Sequence, residues 1–338
     1  MVAVLVQFIA VVVAALVVVV FEAAGEEVAV EVMAFVDSNS GISSINSSGG
    51  GGRNGSRGVD VTKLDSEEKP KVLFVGLVCI DIVNICPKYP DEDTDTLVLH
   101  QEWRRGGNAS NNSTVLSLLG QPSAFFGSMA SSYEKAFLIE DFAKYNIDIS
   151  NCIFHDGHIN IQTVVLINSL NASRTILSPP INLPSVTFEE FLRIDLNKNA
   201  FKWIHFEALS GTENIRQLKK ILQYLSDTNR SKNVEERIIT SVEVEKPEKE
   251  FGSFSEALIC TWGEQGATCR LSNGVIYHSP AENLTSPEDS LGAGDTFTAG
   301  TIYSLLQGLS VEDAITFGCR LATTKCSMNG FDGLKNFT

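Results

Sequence analysis

Short apolar runs that alternate with helical segments dominate the sequence from residue 71 onward. The first run, Val72–Val78, is apolar on both faces, as expected for a buried strand of a parallel sheet. The alternation predicts an α/β fold, with a mostly parallel sheet covered by helices on both faces. In such sheets, ligands bind at the carboxyl ends of the strands. Further predicted strands lie at 123–126, 162–168, 201–206, 238–244, 258–261 and 275–277, and predicted helices at 111–119, 137–145, 297–306 and 311–325.

Composition divides the 338 residues into three parts. Residues 1–36 are an apolar N-terminal segment, in which Val2–Phe21 is uncharged and long enough to cross a membrane. Its flanks lack Lys and Arg, so a membrane anchor, a targeting segment and a low-complexity extension all stay open. Residues 37–70 are a Gly- and Ser-rich linker predicted to be disordered. We expect the folded domain to span residues 71–338.

Charge and cysteine content exclude some classes of function. The formal net charge of −15 provides no basic surface to neutralise phosphates, so we expect no nucleic-acid partner. The seven cysteines have no paired metal-ligand spacing and are spread over apolar segments. They fit reduced, mostly buried thiols, and therefore a cytoplasmic protein.

The segment Asp289–Phe297, with the sequence Asp-Ser-Leu-Gly-Ala-Gly-Asp-Thr-Phe, predicts an anion-binding turn at the start of a helix. Gly292, Ala293 and Gly294 let backbone N–H groups approach an anion, and the helix start adds partial positive charge. Asp295 then stands beside the anion as a candidate base, which phosphoryl transfer to an alcohol requires. A tight turn followed by a capping acid explains the same four residues without any function.

A second polar cluster lies at the start of another predicted helix. Gly106 and Gly107 permit close backbone approach, and Asn108 and Asn111 supply amides that both donate and accept hydrogen bonds. Asp81, which follows the first predicted strand, adds a carboxylate. Such a set suits a ligand with many hydroxyl groups. Each feature alone is equally explained by a turn or a helix cap, and their combination with the anion-binding turn favours a function.

Residues 71–334 resemble the ribokinase-like family of carbohydrate kinases and, within it, the ketohexokinase branch. An ordered series of segments carries the resemblance, and it includes both glycine motifs. These segments are Gly76-Leu77-Val78 with Asp81, Lys88–Pro90, Glu92-Asp93, Arg105–Asn111, Thr114–Gly120, Phe201–His205, Ser241–Pro247, Phe317–Cys319 and Cys326 with Gly330–Gly333. The glycine motifs are typical of the family, and the longer segments are typical of the branch.

The resemblance implies ATP-dependent phosphorylation of fructose to fructose 1-phosphate by a ribokinase-like fold with a small β-sheet lid. It implies Mg²⁺ with the ATP, and potassium activation is common among relatives. The lid, near residues 84–105 and 160–178, builds a homodimer in the family. The implied sugar-binding residues are Asp81, Asp93, Gly107, Asn108 and Asn111. The implied nucleotide-side residues are Arg174, Trp262, Gly266, Gly292 and Gly294, with Asp295 as the base and Gly292, Ala293 and Gly294 as the anion hole. No metal ligand is assigned.

The sequence departs from the family after Pro247. Only Glu248–Ala257 precede the next matching strand, where the family has about 35 further residues, one βα unit with a central strand. So short a segment does not readily form a parallel crossover with a helix. Three functions therefore stay open: an active ketohexokinase, a kinase of the same family with another sugar or a nucleoside as acceptor, and a truncated, inactive chain that only binds sugar or a partner.

Overall fold

The computed structural model describes residues 32–36, 69–244, 255–285 and 287–337. The described strands, in chain order, are β1 (Val32–Val36), β2 (Lys71–Val75), β3 (Cys79–Cys86), β4 (His100–Gly106), β5 (Ser123–Phe126), β6 (Ser128–Ala130), β7 (Ile153–His155), β8 (Gln162–Asn168), β9 (Arg174–Leu177), β10 (Phe201–Glu207), β11 (Ile239–Val244), β12 (Ser255–Thr261), β13 (Ala267–Leu271) and β14 (Ile276–Ser279).

The described helices match the predicted ones closely and add two on the opposite side of the sheet. Ser310 caps the last helix as expected, since its hydroxyl accepts a hydrogen bond from the Asp313 N–H at 3.1 Å. The helices are α1 (Asn108–Leu118), α2 (Lys135–Lys144), α3 (Phe188–Phe191), α4 (Thr212–Arg230), α5 (Ala293–Leu306) and α6 (Val311–Cys326).

Eight strands form the central sheet, in the order β14-β13-β12-β1-β11-β10-β2-β5. Strands β5, β2, β10 and β11 are parallel, whereas β12, β13 and β14 form an antiparallel edge. Successive residues of β2 point to opposite faces. Val72 and Phe74 pack in a core with α1, α5 and α6, and Leu73 and Val75 pack in another core with α3 and α4. This arrangement confirms the ribokinase-like α/β architecture with helices on both faces.

A second sheet, in the order β4-β3-β8-β9, forms the predicted lid. Its strands lie close to the predicted ranges, but β3 already begins at Cys79. Asp81 therefore lies within the lid and does not end a strand of the central sheet. One face of the lid is apolar and buried at Val83, Val165 and Ile167.

Strand β1 lies inside the central sheet, between β11 and β12, and pairs antiparallel with both. Met33 is only 2% exposed and belongs to the larger core. The expected start of the fold near Lys71 therefore missed one strand, because β1 pairs with partners far along the chain and no local signal reveals such pairing. The predicted membrane or targeting segment, Val2–Phe21, and the linker up to residue 68 lie outside the described residues. Within the described ranges, no helix has the length and apolar character of a membrane span.

Candidate active site

The predicted anion-binding turn does open a helix, α5. Gly292 precedes the helix with φ 77°, in the left-handed region. A Cβ at this position would lie 2.5 Å from Cζ of Phe331, so both the conformation and the space require glycine. The N–H of Ala293 donates to the Ser290 carbonyl at 3.3 Å and closes the turn. Asp295 follows in the first helical turn and is 5% exposed.

The second predicted cluster lies next to this turn. Nδ2 of Asn111 donates a hydrogen bond to Oδ2 of Asp295 at 2.7 Å. Asn111 is in the first turn of α1, which begins after Gly107 with φ 97°. A Cβ on Gly107 would lie 2.3 Å from the Leu77 carbonyl oxygen, so the close approach of α1 to the end of β2 depends on this glycine. The structure thus brings together two helix starts that are far apart in sequence.

Asn108 is anchored by Glu243, a residue to which the sequence analysis assigned no role. Nδ2 of Asn108 donates to Oε1 of Glu243 at 2.7 Å, and Asn112 and His205 also bond to this carboxyl group. Burial acts to raise the pKa of Glu243. The hydrogen bond and charge of His205 and the hydrogen bonds from the two amides together outweigh burial, so the pKa lies below its ordinary value. The signal in the sequence was a Glu and a His inside segments that were predicted to be buried strands.

Asp81 lies on β3, 7% exposed, beside Gly106 of the neighbouring strand. A Cβ on Gly106 would come within 2.2 Å of the Asp81 carboxylate, so this glycine makes room for it. Burial raises the pKa of Asp81 to about 6, against the opposing effects of the Cys79 hydrogen bond and the positive charge of Arg104. The carboxylate is thus held in a site that solvates it poorly, where a hydroxylated ligand would supply hydrogen bonds.

The predicted nucleotide-side residues fall in two places. Arg174 opens β9 of the lid, and its Nη1 donates to Oγ of Ser290 at 3.1 Å, next to the anion-binding turn. Trp262 and Gly266 lie in the connection from β12 to β13, and the Trp262 N–H donates to the Gly266 carbonyl at 2.7 Å. Because β12 runs in the same direction as β11, this connection lies at the same edge of the sheet as the turn. Gly266 also has a packing role, since its Cβ would lie 2.0 Å from the Ser279 carbonyl oxygen.

A buried ionic cluster precedes the turn, and the sequence analysis did not identify it. Nζ of Lys325, whose side chain is fully buried, lies 2.8 Å from the Asp289 carbonyl oxygen and 3.0 Å from its Oδ2. Arg104 and the Leu291 N–H also donate to the Asp289 carboxylate. Burial alone would raise the pKa of Asp289, but the Lys325 charge and these donors bring it below its ordinary value. Lys325 lies in the last turn of α6, where a lysine is common for other reasons, so the sequence offered no clear signal of this cluster.

Asp93 lies apart from the other predicted sugar-binding residues. It lies in the exposed segment between β3 and β4, with φ 57°. All seven cysteines are free thiols, in agreement with the sequence analysis. No group of three or more His, Cys, Asp and Glu residues suited to a metal ion occurs in the part of the chain that the structure describes.

Comparison with known proteins identifies the family of this chain. The model of the pfkB family of carbohydrate kinases matches residues 69–229 and 240–333. Ketohexokinase of Mus musculus is 37% identical over 302 residues, which cover 79% of this chain and 99% of the mouse protein. The 5-dehydro-2-deoxygluconokinase of Clostridium beijerinckii is 21% identical, over 82% of this chain and 96% of that protein.

Solved structures share the fold at low sequence identity. The ribokinase of Giardia lamblia has a TM-score of 0.64 at 10% identity, covering 78% of this chain and 95% of that one. A nucleoside kinase of Burkholderia thailandensis, in complex with inosine, has a TM-score of 0.57 at 17% identity, covering 78% and 92%. The family model, the mouse relative and the shared fold together show that this chain is a phosphotransferase of the pfkB carbohydrate kinase family.

Proposed function

We propose that this protein transfers the γ-phosphoryl group of ATP to fructose and forms fructose 1-phosphate. The observation that carries the proposal is the 2.7 Å hydrogen bond from Asn111 to Asp295, which joins the hydroxyl-binding cluster to the anion-binding turn. The 37% identity to mouse ketohexokinase over nearly all of that protein supports a ketose as acceptor.

In the proposed reaction, Asp295 accepts the proton of the attacking sugar hydroxyl. Asn111 donates to one oxygen of its carboxylate and so fixes the orientation of the base. Gly292, Ala293 and Gly294, at the start of α5, stabilise the charge of the transferred phosphoryl group through backbone N–H groups and the helix dipole. The helix thereby carries both the base and the anion hole, and catalysis consists of positioning and charge stabilisation.

The sugar would be held on the opposite side of Asp295. Asp81 accepts hydrogen bonds from its hydroxyl groups, Asn108 and Asn111 both donate and accept, and Gly107 lets the backbone approach the ring. Glu243 keeps the Asn108 amide in place through its 2.7 Å hydrogen bond. Asp93, in the neighbouring exposed segment, remains a further proposed contact with the sugar.

Arg174, Trp262 and Gly266 are the proposed nucleotide contacts, with Arg174 on the phosphates. Mg²⁺, as the ion carried by ATP, would neutralise charge on the phosphate oxygens. The described residues offer no preformed cluster of three carboxylate, His or Cys ligands. Mg²⁺ usually binds through one or two carboxylates together with substrate phosphates, so the proposed ion does not require such a cluster. Potassium, which the resemblance implies, is proposed as an additional activator.

Exposed apolar side chains of the lid support a proposal for the oligomeric state, and the free thiols support one for the cellular location. The lid exposes Trp103 and Leu177, at 40% and 56% of their surfaces. The register from β4 through β3 and β8 to β9 puts both on one face of the lid, and exposed apolar side chains that share a face mark an interaction site. We propose a homodimer formed through the lid, in the cytoplasm, where seven free thiols stay reduced. The proposed kinase domain comprises residues 71–338 and additionally the strand Val32–Val36.

Asp295→Asn tests the assignment of the base. The variant should lose phosphoryl transfer by about a thousandfold or more while still binding fructose, because the amide keeps the shape but accepts no proton. Asp227→Asn, at an exposed ion pair with Arg230 on α4, is the matched control and should behave like the parent. Transfer at the parental rate by Asp295→Asn would refute the role of Asp295. A panel of fructose, ribose and adenosine tests the acceptor, and equal turnover of ribose would refute the ketose.

An inactive, sugar-binding chain is the second candidate, favoured by the short segment between Val244 and Ser255. A parallel crossover with a helix requires about a dozen residues or more. Thermal unfolding with and without Mg-ATP distinguishes the two candidates. Stabilisation by Mg-ATP supports a kinase, whereas stabilisation by fructose alone supports the binding protein.

A further inference from the structure

Three consecutive residues just before the anion-binding turn are held by the lid sheet. Oδ2 of Asp289 accepts a hydrogen bond from Nη1 of Arg104 at 2.8 Å, and Oγ of Ser290 accepts one from Nη1 of Arg174 at 3.1 Å. Leu291 packs against the buried apolar face of the lid. The lid therefore contacts the turn through two cationic contacts and one apolar contact, in immediate succession along the chain.

The two arginines come from opposite edges of the lid. Arg104 is on β4 and Arg174 on β9, the outermost strands in the order β4-β3-β8-β9. Contacts at both edges fix the tilt of a sheet as well as its distance, whereas one contact would leave it free to rotate. The position of the anion hole relative to the lid is thus determined from both sides.

Arg104 also faces the sugar side of the site. It is the cross-strand partner of Asp81 in the register of β3 and β4, so the two side chains lie on the same face of the lid. The charge of Arg104 acts on the Asp81 carboxyl group. One guanidinium group therefore lies between the proposed sugar carboxylate and the residue that precedes the anion hole.

The two arginines differ in how firmly they are held. The Arg104 side chain is 16% exposed and also bonds to Glu102 through Nε at 2.8 Å. Arg174 is exposed, and it donates to the Ser290 hydroxyl, a neutral acceptor. A phosphate oxygen is a stronger acceptor than a hydroxyl, so Arg174 can exchange Ser290 for a nucleotide. Arg104, with two carboxylates as partners, stays in place.

We propose that Arg104 is a positioning residue that couples the sugar site to the phosphate site by holding Asp289, and with it the anion hole, to the strand pair that carries Asp81. This inference rests on the proposed function. It requires that fructose and nucleotide strengthen each other's binding, and that this mutual effect depends on Arg104.

Arg104→Gln is the test, with Arg104→Lys as the conservative variant and Arg216→Gln as the control, because Arg216 pairs with Glu213 in an exposed ion pair of α4. Fructose binding is measured by calorimetry with and without saturating Mg-ADP. In Arg104→Gln, we expect the enhancement of fructose binding by Mg-ADP to fall by about tenfold, the loss typical of a charge-assisted hydrogen bond. Fructose binding alone should change by less, although the Arg104 charge also acts on Asp81. Arg104→Lys should retain much of the enhancement, and Arg216→Gln all of it.

Amide hydrogen exchange gives a readout that does not depend on activity. Arg104→Gln should speed exchange across residues 289–294 and leave β2 and β10 as in the parent. Unchanged exchange in this segment, together with unchanged enhancement, would overturn the proposal. Faster exchange throughout β2 and β10 would overturn it as well, since Arg104 would then stabilise the fold as a whole. A different result would refute the proposed function and leave the role of Arg104 intact. In that case the parent protein would not bind fructose, but Arg104→Gln would still speed exchange across residues 289–294.

Discussion

We predict that Asp81→Asn raises the free energy of unfolding at pH 8 and weakens fructose binding. Burial raises the pKa of Asp81 from 3.8 to about 6, against the Cys79 hydrogen bond and the Arg104 charge. Because the pKa is higher in the folded state than in the unfolded state, the folded protein binds this proton more tightly. Below pH 3.8 the carboxyl group is protonated in both states and costs no stability. As the pH rises through about 6, the group must ionise in its buried site, and the free energy of unfolding falls.

The magnitude follows from the same two values. The step from 3.8 to about 6 is about 2.2 pKa units, and at about 1.36 kcal/mol per unit it corresponds to about 3 kcal/mol above pH 7. Asn has the shape of Asp and carries no charge. We therefore expect Asp81→Asn to be more stable than the parent by up to about 3 kcal/mol at pH 8, and the difference to shrink toward zero near pH 4.

Urea unfolding at several pH values, followed by the fluorescence of the buried Trp203, measures this difference. Asp148→Asn is the control of opposite sign. Burial acts to raise the pKa of Asp148, but its hydrogen bond to Lys71, at 2.5 Å, outweighs burial and lowers it. That carboxylate therefore stabilises the protein above its ordinary pKa, and Asp148→Asn should be less stable than the parent at pH 8.

The reasoning is refuted if Asp81→Asn is less stable than the parent at pH 8, or if its stability difference does not change with pH. Fructose binding provides the functional half of the test. Asp81→Asn should bind fructose at least about tenfold more weakly, because a charged acceptor is lost. In the parent, fructose affinity should fall as the pH drops through about 6 and Asp81 becomes protonated.

Two further substitutions test the packing around the site. Gly266 has φ 90°, and its Cβ would lie 2.0 Å from a backbone oxygen, so Gly266→Ala should cost about 2–4 kcal/mol in urea unfolding. Gly274 has φ 86° with open space around it, so Gly274→Ala should cost only about 1–2 kcal/mol of backbone strain, and equal losses would contradict the steric reason. Met33→Asp should lower the free energy of unfolding by about 3 kcal/mol or more, whereas Met33→Leu should stay within about 1.5 kcal/mol of the parent. A fully stable Met33→Asp would show that β1 does not belong to the core.

The parts of the site that the sequence predicted well are those with a local cause. Gly292 and Gly107 mark helix starts because a side chain is disfavoured at both positions by the positive φ and by close neighbours. Each glycine lies next to the helix that it starts, so a short stretch of sequence contains the whole signal. That Asp295 and Asn111 meet follows from a general rule, since both open helices at the carboxyl edge of one sheet. The hydrogen bond between them joins two polar clusters that the sequence analysis identified separately.

The contacts that the sequence did not reveal are long-range pairs of buried polar groups. Glu243 holds Asn108, and Lys325 holds Asp289, across large separations in the chain. Asn108 and Asp289 lie in motifs that the sequence analysis identified, but nothing local in the sequence connects them with Glu243 or Lys325. Only the fold decides which of these groups meet, because a buried charge is tolerated wherever the tertiary structure supplies an opposite one.

Strand β1 shows how the sheet can stay continuous without the βα unit that the resemblance leads us to expect after Pro247. An inserted strand satisfies the hydrogen-bonding edges of both neighbours and buries side chains on both faces whether it runs parallel or antiparallel to them. Among the described strands, β12 and the two strands beyond it join the rest of the sheet through β1. Val32–Val36 therefore restores the connection between the strands that carry Trp262 and those that carry the sugar site.

The direction of β1 nevertheless affects the edge of the sheet where the proposed ligands bind. Since β1 is antiparallel, it begins at Val32, opposite Val244 and Cys260, at the edge where its neighbours end. A parallel strand at this position would end at that edge and place its following loop next to the proposed nucleotide contacts. The antiparallel β1 keeps the sheet continuous but supplies no such loop. Stability and sugar binding should be largely preserved, and any deficit of this chain relative to longer kinases should appear in its affinity for ATP.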